Sequence, residues 1–112
     1  MEKFKRERGY WAPFWGQLLR YDPDFLAHYT ELSGYLYKHG PLPIKTKELI
    51  LLALDVTTTH LYEPGLRIHI RNALKHGATK EEILEVMELA SLVGIHSCTF
   101  GLPILIEELR RK

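Results

Sequence analysis

KTKELILLALDVTTTH, residues 45–60, is the stretch whose reading decides the fold. Apolar side chains fall on nearly every side of it, and Leu49 to Leu54 is the longest uninterrupted apolar run in the chain. An element that is hydrophobic all round is expected to be buried all round, which makes this segment the central helix. A buried strand is the competing reading, because Ile and Leu alone do not arbitrate. The run nevertheless continues past strand length without a break, and helix is preferred. Glu48 and Asp55 punctuate it, and with Leu52 and Thr59 they recur at helical spacing on one face.

Working outward from that helix, Glu63-Pro64 opens another. It places Leu66, Ile70, Ala73 and Leu74 on one side and reaches Lys75-His76, with Gly77 as its C-terminal stop. Thr79-Lys80-Glu81-Glu82 matches a capping box, Thr79 bonding forward and Glu82 reaching back. The helix it starts runs through Ile83, Val86, Met87, Ala90 and Val93 to Gly94, and a last helix is expected from Cys98 to Arg110, kinked or delayed by Pro103. On the N-terminal side, Trp11 to Leu19 reads as a short aromatic helix with Pro13 in its first turn. Asp22-Pro23 starts a second, along which Phe25, Leu26, Tyr29, Leu32, Leu36 and Tyr37 recur before Gly40-Pro41 ends it.

The 112 residues make one domain, 46% apolar and 26% charged, which is ordinary globular usage. A domain this small leaves much apolar surface exposed, so self-association is expected. Fifteen basic and 14 acidic residues are mixed along the chain, without the one-sided basic field that a phosphate backbone demands; nucleic acid is not an expected partner. No apolar run approaches the roughly 18–20 residues that span a bilayer, and the charged start MEKFKRER is followed by no signal-type stretch. A cytoplasmic protein without membrane partners is expected. Cys98 is the only cysteine, which excludes an intrachain disulfide, a CxxC motif and a cysteine-rich zinc site. None of the six histidines pairs with another at i, i+3 or i, i+4, and no metal is expected, although a histidine site assembled across subunits would escape that test.

KTKELILLAL, GLRIHIRNALKHGATKEEILEV and the small-residue turn at Val93-Gly94 together resemble the carboxymuconolactone decarboxylase family over residues 45–105. The resemblance implies an all-α, compact AhpD-like bundle of about six helices. It also implies a homo-oligomer, trimer or hexamer, with pockets lined by neighbouring subunits. The family's alkylhydroperoxidase-like branch carries two cysteines, seven and four residues before the histidine that corresponds to His69. Here those positions are Tyr62 and Gly65, so a thiol–disulfide cycle is excluded and the decarboxylase branch is the better match. Where the decarboxylases continue into a Pro-containing turn, this chain has Gly94-Ile95-His96-Ser97-Cys98.

His69 is the leading candidate for chemistry. It shares a helical side with Tyr62, Gly65, Leu66 and Ala73, an inward face, and an imidazole there can serve as general acid or base. Periodicity alone favours a core histidine satisfied by one hydrogen bond; the resemblance, whose histidine belongs to the functional site, reverses that preference. Glu48 and Asp55, on a buried helix, each call for a donor such as His69 or a histidine of another subunit; for Asp55 the preferred alternative is that it faces solvent. Tyr62, His60 and His96 are candidate substrate contacts, with turn residues as the plainer reading of the first two. Arg71 lies about 200° round the helix from His69, so a solvated face or subunit contact is its default, with recruitment to an intersubunit pocket as the alternative. The resemblance implies a cofactor-free lyase or isomerase acting on a small carboxylated lactone or conjugated ring, with His69 and Glu48 catalytic. The rivals are a non-catalytic small-acid-binding or assembly protein and a histidine-based metalloprotein.

Overall fold

The computed structural model describes residues 13–57 and 59–111. Among them lie six helices and no strand: α1 (Pro13–Tyr21), α2 (Pro23–Lys38), α3 (Ile44–Val56), α4 (Glu63–Lys75), α5 (Lys80–Ala90) and α6 (His96–Arg110). The all-α expectation is met. Trp11 falls outside the described residues. The helices belong to two compact units, one within Met1–Pro41 and one within Leu42–Lys112.

In the first unit, the Asp22 carboxylate accepts a hydrogen bond from the Phe25 amide at 3.1 Å, and Pro23 takes the first helical position of α2. The aspartate satisfies a donor that the helix cannot, and the proline has no donor to lose. Trp15 and Leu26 are buried with Leu18 and Leu19 against them, and the Trp15 ring stacks on Tyr29 with centroids 5.5 Å apart.

The second unit is the α3–α6 bundle. Leu52 and Val56 of α3, Leu66, Ile70 and Ala73 of α4, and Ile83 and Met87 of α5 have no exposed surface; Ala78, Ile104 and Leu105 complete the core. Each set keeps the spacing of three, four or seven that one helical stripe requires. At the end of α4, Gly77 adopts φ +99°, a conformation glycine enters without strain, while the Ala78 amide donates to the Ala73 carbonyl and Gly77 to Leu74. The next helix begins two residues later, with both bonds of the capping box formed: the Glu82 amide on Thr79 Oγ1 and the Thr79 amide on Glu82 Oε1.

Three boundaries differ from the sequence-based expectation. The central helix stops at Val56, so Thr59 lies in the following turn, and Ile50 and Leu54 are exposed on the single chain rather than buried. Hydrophobicity all round implies burial all round, but the residues of α3 that are buried are those of one side, Glu48, Leu52 and Val56. The fifth helix ends at Ala90, leaving Val93 exposed in a turn. The last begins at His96, ahead of Cys98, and runs through Pro103. Pro103 is on the exposed side, where water can satisfy the carbonyl that loses its amide partner.

Candidate functional site

Helices α3 and α4 bring together two of the buried polar side chains of the bundle, Glu48 and His69. Glu48 sits on the second turn of α3 and is 1% exposed; His69, in the middle of α4, is 4% exposed. Their side chains meet at 2.6 Å, Glu48 Oε1 to His69 Nδ1. With an ionised Glu48, which can only accept, the proton in that bond belongs to the ring nitrogen. Asn72, one turn beyond His69, donates from Nδ2 to the other Glu48 oxygen at 3.3 Å. A buried carboxylate is stable only when its lone pairs meet donors, and two come from α4.

Asp55 corrects the expectation that it faces solvent. Its side chain is 15% exposed, with Oδ2 3.7 Å from His69 Nε2 and Oδ1 3.2 Å from His60 Nε2. Glu48 and Asp55 are seven residues apart, two helical turns and about 10.5 Å of rise, and they address the two nitrogens of one ring. Gly65 makes this possible. A Cβ at position 65 would stand 2.2 Å from Asp55 Oδ2 and 2.8 Å from Tyr62 Cδ2, so the carboxylate occupies space that any other residue's side chain would claim. The turn between α3 and α4 brings in the remaining members. The Tyr62 amide donates to the Asp55 carbonyl at 2.8 Å, the Tyr62 and His60 rings lie 5.6 Å apart, and Leu61 between them has φ +45°. A leucine in the left-handed region is strained, and such strain is held only where surrounding contacts over-determine it.

Of the residues singled out from sequence, the structure therefore joins His69, Glu48, His60 and, through its backbone, Tyr62. His96 is exposed at the first position of α6. Arg71 has a different partner. Its Nε donates to Glu108 Oε1 at 2.7 Å, and Arg67 Nη1 and Arg111 Nε also approach that buried carboxylate, at 3.3 and 3.5 Å. Arg71 and Arg67 tie α4 to α6 by this cluster, on a side of α4 other than that of His69. Asn72 was not anticipated, and neither was Asp55 as a site member. Asn72 shares the face of His69 at i+3 and Asp55 shares the face of Glu48 at i+7, but spacing along a helix does not say what opposes it.

Burial pushes the Glu108 carboxyl upward, and the hydrogen bonds and charges of Arg71, Arg67 and Arg111 outweigh that, holding it below the usual carboxylate range. A depressed folded-state pKa means stabilisation that is complete above the unfolded value of about 4.3 and lost as pH falls through the folded value. Urea midpoints are therefore expected to fall as pH drops below about 4.3, and Glu108→Gln is expected to flatten that part of the profile. An unchanged acid limb in the variant would assign it to other carboxylates.

The model of the carboxymuconolactone decarboxylase family matches residues 23–95. The chain belongs to the carboxymuconolactone decarboxylase family. Two solved structures from Burkholderia xenovorans LB400 align with it at a TM-score of 0.73. One, provisionally described as a gamma-carboxymuconolactone decarboxylase subunit, is 46% identical over 98% of this chain and 44% of its own length. The chain thus spans less than half of that relative. The other, provisionally described as a carboxymuconolactone decarboxylase, is 23% identical over 99% of this chain and 92% of its own, and shows a shared fold. No curated protein matches. The family match covers α3, α4 and α5 entirely, hence Glu48, Asp55, His60, Tyr62, Gly65 and His69, and stops at Ile95, before His96. Among the described residues, no helix is long and apolar enough to cross a membrane, and no group of three or more His, Cys, Asp or Glu side chains is placed to hold a metal ion.

Proposed function

We propose that this member of the carboxymuconolactone decarboxylase family is a carboxy-lyase or isomerase that needs no cofactor and acts on a small carboxylated lactone or conjugated ring. The single observation that carries the reading is the buried 2.6 Å pair of Glu48 and His69. Loss of carbon dioxide leaves the bonding electrons on carbon as an enolate-like carbanion, which must then receive a proton. With Nδ1–H directed at Glu48, the ring is oriented, and Nε2 is the atom that exchanges a proton with substrate. Glu48 is a positioning residue in this scheme, His69 the proton donor, and Tyr62 and His60 belong to the rim. The description of the 46%-identical relative supports gamma-carboxymuconolactone as the first substrate to try. Exposed Leu89, Leu92, Val93 and Ile95 support a homo-oligomer, and we place the protein in the cytoplasm.

The test is carbon dioxide release from carboxylated lactones by the wild-type chain and by His69→Gln. General acid–base catalysis contributes about 10²–10⁴-fold, so the variant is expected to lose at least 100-fold in kcat with little change in KM. Full activity in His69→Gln would remove the assigned role. A second reading, a small-acid-binding or assembly protein on the same fold, is favoured by the 4% exposure of His69, which leaves the ring almost no surface for a substrate. Calorimetric binding of a carboxylated lactone without turnover would establish it.

A further inference from the structure

The exposed His60 and the buried His69 are bridged by one carboxylate. We propose that Asp55 carries protons between them, so that His60 is the solvent-facing end of a relay that recharges His69. The inference deepens the catalytic reading, since a proton donor consumed at each turnover must be restored, but the relay itself is a property of the resting protein.

Four observations converge on it. Asp55 turns one oxygen to each histidine, 3.2 Å to His60 Nε2 and 3.7 Å to His69 Nε2. Exposure rises along the same line, from 5% for the His69 side chain through 15% for Asp55 to 55% for His60. At Gly65 the absent side chain leaves the space that Asp55 Oδ2 fills. The strained Leu61 fixes the turn that holds His60 beside the carboxylate, against Tyr62. The step balances as a pure proton transfer. His60 takes a proton from water at Nδ1 and releases one from Nε2 to Asp55 Oδ1; Asp55, protonated there, turns about its Cβ–Cγ bond to bring that oxygen to His69, passes the proton to His69 Nε2 and returns to carboxylate. The 3.2 Å segment is within hydrogen-bond reach, and the 3.7 Å segment is crossed by side-chain rotation or through one water. Glu48 and Asp55 of α3 are charged groups that meet the His69 ring; Glu107 and Glu108, which α6 presents to α4, are taken up by Arg67 and Arg71.

The experiment reads the relay without any substrate. In the full-length protein labelled with ¹⁵N, solvent exchange of the His69 ring protons is measured by NMR across the titration of His60. The wild-type rate is expected to rise as His60 becomes protonated, and Asp55→Asn and His60→Gln are each expected to slow it at least tenfold. Gly65→Ala, which displaces Asp55 without removing a titratable group, is expected to slow it likewise and serves if Asp55→Asn does not fold. An unchanged or faster rate in His60→Gln, or in whichever Asp55-directed variant folds, overturns the proposal. Absence of carbon dioxide release by the wild-type chain would instead count against the lyase reading and leave the exchange result standing.

Discussion

His69→Ala is expected to lower the unfolding free energy by about 3–5 kcal/mol, measured by urea denaturation at neutral pH. The ring is bonded at 2.6 Å to a carboxylate that is itself 1% exposed, so truncation leaves a buried charge without its closest donor. Asn72 still reaches the other oxygen, but its 3.3 Å bond is longer and weaker than the 2.6 Å bond that is lost. Against a typical domain stability of about 5–15 kcal/mol, such a loss brings the chain close to unfolding. The design asymmetry of buried pairs supplies the control. Replacing both partners, as in Glu48→Leu with His69→Leu, removes the charge together with its donor and is expected to cost less than His69→Ala alone. A loss below about 1 kcal/mol for His69→Ala would show that water reaches Glu48 readily, contrary to its burial.

Gly101→Val is the second large effect, and it concerns the seam where α6 crosses α3 and α5. A Cβ on residue 101 would stand 2.9 Å from Met87 Sδ, 2.9 Å from Val56 Cγ2 and 3.2 Å from Met87 Cε. Met87 is unbranched and can give way; Val56 has no exposed surface and a stiff branched Cβ, and cannot. One added methyl, Gly101→Ala, is expected to cost about 1–3 kcal/mol by overpacking, partly offset by the roughly 1 kcal/mol that alanine gains over glycine in a helix. Valine adds two more carbons at the same point and is expected to exceed that range. Val56→Ala in the Gly101→Ala background is expected to recover part of the loss, a coupling read from the four denaturation curves. Additive losses would mean that α6 shifts away as a body instead of pressing on Val56.

The two effects separate two demands on the same bundle. Gly101 lets helices approach so that Leu52, Val56, Ile83 and Met87 can be sealed from water. Gly65 is also a missing side chain, but the space it leaves is filled by a carboxylate near the surface. The nearest atoms there belong to the Asp55 carboxylate and the Tyr62 ring, both members of the site, so Gly65→Ala is expected to disturb the site more than the fold, the reverse of Gly101→Ala.

Much of this was legible from residue order alone, because it depends on interactions within a few residues. Asp22-Pro23, Thr79 with Glu82, and Gly77 close or open helices through bonds to their own neighbours, and the boundaries read from them hold to within a residue. The inward face of His69 followed from the spacing of Gly65, Leu66 and Ala73, and a donor for Glu48 followed from the cost of burying a carboxylate. What spacing could not supply was opposition between elements. The sequence places Asp55 on the face of Glu48 at i+7, yet only the packing of α4 against α3, with no side chain at Gly65, turns it toward His69 and His60 rather than to solvent. Likewise α3 is apolar on nearly every side, but burial needs a neighbour on each side, and Ile50 and Leu54 stay exposed. Local bonds are encoded in consecutive residues and can be read there; which side chains face one another across two helices is set by packing, and only the tertiary structure decides it.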